Sequence, residues 1–259
     1  MSGIDAVIAR SRQPGAMSSR KRFTVSRKRA IQKLRQFALA DPYAYILELI
    51  QAAVANGAVY VDLQTSKKTV TLSYVGGGLR EDQLASLFDF LFASKDRRDV
   101  ADVRALALGL NAALRFEPDA VIVESGDGSA KGTTRMTLRP GSDEVEIGKP
   151  ELPLAGTYVR IEGMKRRALG KAWRAHAELD PVREISLIES RCMAAPIPIV
   201  IDGESKFGFS SQRIPKAPGY SRTLEIDEGD LYGTIGIDPG WGRANFVLLT
   251  YGVRITSKQ

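Results

Sequence analysis

The run Asp41–Ala58, DPYAYILELIQAAVANGA, constrains the fold of this chain more than any other segment. Asp41 offers an acceptor to the exposed N–H groups of a helix start, and Pro42 is tolerated at the first helical position. Tyr43, Ile46, Leu47, Ile50, Ala53 and Val54 then recur at helical spacing, and Asn56-Gly57 closes the run. The spacing predicts a helix over 41–55 with one face buried. Glu48 lies inside that run. A carboxylate among apolar neighbours is costly unless it is paired or lines a cavity, which makes Glu48 the first functional candidate. The alternative is that Glu48 sits at the rim of the stripe and faces solvent.

The segments before this helix are basic. Residues 1–24 carry Arg10, Arg12, Arg20 and Lys21 among Ser, Gly and Pro without periodicity, and are expected to form a basic flexible tail. Such a tail either touches nucleic acid or an acidic partner, or is simply solvated. From Val25 to Leu39 a second helical pattern places Ile31, Leu34, Phe37 and Ala38 on one face. Arg27, Lys28, Arg29, Lys33 and Arg35 fall on the other. With no aromatic residue spaced for base stacking on that basic face, a nucleic-acid reading rests on charge alone.

After the central helix, Ala58–Gln64 and Thr69–Val75 alternate with a period of two and predict a hairpin that ends in Gly76-Gly77-Gly78. Helices are expected over 80–92 and 100–114, separated by the polar loop 94–99. Strands are expected at 120–124, 132–138 and 157–162. Helices and strands in this order predict an α/β two-layer sandwich, with helices on one face of a mixed sheet. Beyond Gly163 the composition shifts to a basic cluster, Lys165, Arg166, Arg167, Lys171 and Arg174. Helices near 172–179 and 181–193 and strands near 197–202, 233–237, 246–250 and 253–256 follow. A boundary is therefore expected near residue 164, with a smaller α+β domain over 164–259.

Composition excludes several function classes. With 44% hydrophobic and 26% charged residues the chain reads as globular, and no eighteen-residue apolar run exists to span a membrane. The N-terminus does not resemble a secretory signal, so a cytoplasmic location is the expectation. One cysteine, Cys192, and one histidine, His176, rule out an internal disulfide framework and argue against a zinc site. The chain ends on a strand-like run, GVRITSK, as a fragment of a longer protein would, or one whose edge a partner covers.

Four separated segments, ELIQAAVANGA (48–58), YVGGGL (74–79), RALALGLNAAL (104–114) and GTYVRI (156–161), together resemble one family. It is the GHKL superfamily of ATPases: gyrase, the ninety-kilodalton heat-shock chaperone, histidine kinases and MutL. Its nucleotide-binding unit is the Bergerat fold. The resemblance covers about residues 25–163, an expected ATP-binding domain. RCMAAPIPIVIDG (191–203) resembles the start of the transducer domain of the chaperone and MutL branches, which makes 164–259 transducer-like.

The resemblance implies ATP and magnesium as cofactors and assigns roles by position. Glu48 matches the general base that activates water. Ala52 stands where the family has a magnesium-binding asparagine, and Tyr74 where it has the aspartate that reads adenine. Gly76 and Gly78 match the glycines that follow, Thr157 the threonine that works with that aspartate, and Gly109 a glycine of the phosphate-facing loop. Lys95, Arg97 and Arg98 fall in the family's lid, where they either pair with phosphates or form an exposed charged loop. Asn111 matches no family role. No residue of this chain is assigned to a metal. An alanine cannot hold magnesium, and losing the carboxylate removes a charge-assisted hydrogen bond worth about 1.5–3 kcal/mol. Tyr74 either stacks on a base or fills the pocket. The expectation is a weak or inactive ATPase, a chaperone-like, nucleotide-responsive or assembly module, with a protein partner or a second copy of the chain. The alternatives are an active magnesium-dependent ATPase using Glu48, and a basic nucleic-acid-binding protein.

Overall fold

The computed structural model describes residues 26–93, 98–129, 131–139, 145–166, 182–192, 195–207, 222–228, 231–237, 246–250 and 253–258. The expected tail, Lys95, Arg97 and the helix near 172–179 lie outside the described residues.

The chain enters with α1 (Arg27–Phe37) and then the 3-10 turn Pro42–Ala44, which runs into α2 (Tyr45–Ala55). The Asp41 carboxylate accepts a hydrogen bond from the Tyr43 backbone N–H at 3.0 Å, so the predicted cap is real. The antiparallel hairpin of β1 (Val61–Thr65) and β2 (Val70–Tyr74) follows, with Val61 opposite Tyr74. Next come α3 (Glu81–Ala85), a 3-10 stretch Leu87–Phe92, and α4 (Ala101–Ala113). The helix expected over 80–92 breaks at Ser86, whose hydroxyl donates to the Asp82 carbonyl at 2.6 Å. Serine competes with the backbone in this way and weakens helix propagation.

A mixed eight-stranded sheet carries these helices. Its remaining strands are β3 (Ala120–Asp127), β4 (Thr134–Leu138), β5 (Val145–Gly148), β6 (Ala155–Glu162), β7 (Ile199–Ile201) and β8 (Glu204–Phe207), in the order β5-β4-β3-β6-β2-β1-β7-β8. β5 and β8 escaped the sequence because a four-residue edge strand carries too few alternations to register. Val61, Leu63, Val70, Leu72, Val121, Val123, Met136, Val159 and Ile161 alternate onto one buried face. Asp62, Ser73, Glu124 and Arg135 point the other way and are half-buried, and Arg160 beside them is exposed. One covered face under a helix layer is an α/β arrangement.

The sheet and its core run through the boundary expected at residue 164. β7 pairs in parallel with β1, Val61 against Ile199 and Leu63 against Ile201. The helix before it, α5 (Val182–Arg191), places Leu187 and Ile188 in the same core as α2. A buried ion pair fastens the join: Arg166 Nη1 donates to Glu184 Oε1 at 2.5 Å, and the Tyr45 hydroxyl donates to the same oxygen at 3.0 Å. The Arg166 guanidinium also lies over the Tyr43 and Phe116 rings, 5.6 and 6.0 Å from their centroids. Arg166, one of the basic cluster that opens this segment, is 5% exposed. Beyond β8 the described residues form two hairpins, β9 (Arg222–Glu228) with β10 (Leu231–Ile237) and β11 (Phe246–Thr250) with β12 (Val253–Lys258). No single helix among the described residues is long and apolar enough to cross a membrane.

Candidate functional site

α2 and α4 pack against each other in opposite directions. At one end the Asn56 amide donates to Asp102 Oδ2 at 2.8 Å; at the other, Gly109 lies against Leu49 and Tyr45. A β-carbon on Gly109 would stand 2.8 Å from Leu49 Cδ2 and 3.1 Å from the Tyr45 carbonyl oxygen. Gly109 is therefore the contact that lets two core helices approach. It sits inside α4, within the helix expected over 100–114, buried, with its backbone N–H and C=O in a helix.

Glu48 lies on the same seam, one turn before Ala52. It is only part-exposed, and burial pushes its carboxyl up to about 7 from an ordinary 4.5, while the positive charge of Arg104 pulls it down. A carboxylate with this value exchanges its proton near neutral pH, as a general base must. Ala52 is fully buried, and its methyl group has no donor atom for a metal.

Tyr74, Thr157 and Ser125 form one row across three strands, because Tyr74 is in register with Thr157 on β6 and Thr157 with Ser125 on β3. All three are buried. The Thr157 and Ser125 hydroxyls are hydrogen-bonded to each other, their oxygens 2.8 Å apart. Burial raises the Tyr74 pKa well above its ordinary value; the neighbouring Thr157 hydroxyl opposes the rise, and the negative charge of Asp102 adds to it. Tyr74 is thus a buried, neutral phenol. Ser125 Oγ accepts the Leu79 N–H at 2.8 Å, which ties the end of the glycine loop to this row.

The glycines themselves are demanded by packing. A β-carbon on Gly76 would lie 2.8 Å from Asn56 Oδ1, and one on Gly78 would lie 2.8 Å from the Gly126 carbonyl. The Gly77 N–H donates to the Asn56 carbonyl at 3.1 Å. The loop is clamped between the end of α2 and β3.

Glu48 and Thr157 have different partners. Glu48 answers to Arg104 across the helix seam, and Thr157 to Tyr74 and Ser125 on the sheet. The sequence missed Asp102, Arg104, Ser125 and the inward face of Asn56. Only Asn56 gave a signal, as a helix stop. Asn111 is explained by packing: it accepts from Arg35 Nε and donates to the Ile31 carbonyl, both at 3.3 Å, bridging α4 to α1. Cys192 is buried, and burial pushes its thiol up to about 12, which leaves it inert as a nucleophile. Among the described residues no group of three or more His, Cys, Asp or Glu side chains is placed to hold a metal ion.

Magnesium and ATP, tested against these residues, fit poorly. The position that the resemblance gives to a metal ligand offers a methyl group, the one it gives to base reading a buried phenol, and the glycine it gives to a phosphate loop a helix interior. Comparison with known proteins finds no family model and no curated protein that matches this chain.

Proposed function

We propose that the chain is a non-hydrolysing derivative of the Bergerat ATPase unit, chaperone/MutL-like, retained as an assembly or binding module. One observation carries this reading. Tyr74 stands where the family's carboxylate would recognise adenine, is 3% exposed, and sits in register beside Thr157. A nucleotide base would have to displace a buried aromatic ring, at a cost of several kcal/mol by the scale of buried-side-chain losses. Val59, Tyr60 and Val75 support the module role. They are exposed apolar residues joined where the Val59 N–H meets the Val75 carbonyl at 3.2 Å, and such a patch fits a protein partner or a second copy.

The second reading, a magnesium-dependent ATPase using Glu48 as base, is favoured by one fact: the Glu48 carboxyl lies at about 7. Isothermal titration of the full chain with ATP and ADP, with and without magnesium, separates the two. The module reading expects no saturable binding at millimolar nucleotide, and recovery of weak binding in Tyr74→Ala. Micromolar, magnesium-dependent binding with turnover that Glu48→Gln abolishes would overturn it.

A further inference from the structure

The positive charge of this chain is confined to one end. The first 35 residues hold ten Lys and Arg against one Asp, whereas the other 224 hold 27 Lys and Arg against 29 Asp and Glu. The described part of that basic segment is α1, and its packing sorts its side chains sharply. Ile31 is buried in the core and Leu34 is half-buried, so the core-facing side of α1 is already taken. Arg29 and Lys33 are exposed and enter no ion pair among the described residues. Phe37, expected on the apolar face, is instead 76% exposed. At 100° per residue it falls well away from Ile31 and next to Lys33. Arg29, Lys33 and Phe37 follow at i, i+4 and i+8 and so form one ridge, about 6 Å per step along the helix.

We propose that this ridge binds single-stranded nucleic acid, with Arg29 and Lys33 on successive phosphates and Phe37 stacked on a base. Cations that follow a backbone beside an aromatic ring that accepts any base are the elements of sequence-tolerant single-strand binding. A membrane surface is the poorer occupant, because a helix lying on lipid must insert its apolar stripe and that of α1 faces the core. Duplex is poorer too, since its bases are stacked on each other and offer Phe37 no free face. This proposal uses a different face from the Tyr74 site and stands whether or not ATP binds.

Fluorescence anisotropy of the full chain with a labelled oligo(dT) of about 20 nucleotides, and with labelled polyglutamate of similar length, tests it over about 50–200 mM salt. Oligo(dT) is expected to bind with a steep salt dependence. Phe37→Ala should weaken it roughly tenfold, and Arg29→Gln with Lys33→Gln should lower the logarithmic salt slope by about 1.4. All three positions are exposed, so urea melts of the variants should match the parent and keep loss of binding distinct from loss of fold. No oligo(dT) binding at about 50 mM salt would overturn the proposal. So would affinity unchanged in both variants, which would assign binding to charge elsewhere. Polyglutamate bound as tightly and weakened as much by Phe37→Ala would overturn it in favour of an acidic protein.

Discussion

Replacing Glu48 by glutamine tests the helix seam through its pH dependence. Burial raises this carboxyl from 4.5 to about 7, against the pull of Arg104. Between those values the native chain keeps a proton on Glu48 that the unfolded chain has released. The stabilisation is therefore fully present below about pH 4.5 and is lost as pH rises through about 7. At 1.36 kcal/mol per pH unit the full span is on the order of 3 kcal/mol, and part exposure of the side chain reduces it toward about 2 kcal/mol. Glutamine keeps the shape and removes the titration. Urea melts of both proteins should differ little near pH 5, while near pH 8 Glu48→Gln should be the more stable by about 2 kcal/mol. The difference between the two proteins isolates Glu48 from every other titrating group. A difference that stays constant across this range would refute the claim that Glu48 is desolvated, and with it the picture of a carboxyl poised on the seam.

Two further substitutions test the core. Glu184→Gln should destabilise the chain by about 3–5 kcal/mol in urea melts, because it strands the Arg166 guanidinium, 5% exposed, without its countercharge; an effect under about 1 kcal/mol would detach residues 182–191 from this core. Gly109→Ala should destabilise by about 1–3 kcal/mol although alanine is the better helix former by about 1 kcal/mol, since the new methyl group meets Leu49 at 2.8 Å; a stabilised variant would mean the two helices have room between them.

The sequence was most legible where a single element decided its own fate. Asp41-Pro42 fixed the start of the central helix, and the β1–β2 hairpin followed from alternation that survives in the buried Val61, Leu63, Val70 and Leu72. It was least legible where burial depends on a distant segment. Arg166 lies in a run of cations and reads as surface until Glu184, eighteen residues on, and the Tyr43 and Phe116 rings close over it. Phe37 failed in the opposite direction. One more turn of α1 would have to pack on the core for it to be covered, and the helix ends there with Ala38 as its cap.

The candidate site divides along the same line. The resemblance read Ala52 and Tyr74 as replacements, because a missing donor atom is visible in a sequence. What a replacement does in the space it inherits is not. Tyr74 had two possible fates, a platform for a base or a plug, and the outcome was set by two residues on other strands. Register brings Thr157 opposite Tyr74 and Ser125 opposite Thr157, and the Thr157 and Ser125 hydroxyls then satisfy each other. Once that row is closed and the Leu79 N–H is tied to Ser125, the glycine loop gains a reason to persist that has nothing to do with nucleotide. Gly76 and Gly78 are held by Asn56 and Gly126, whether or not a phosphate ever approaches. The packing alone thus accounts for these glycines, because a residue without a β-carbon is what admits the neighbouring backbone at Gly78 and the Asn56 side chain at Gly76.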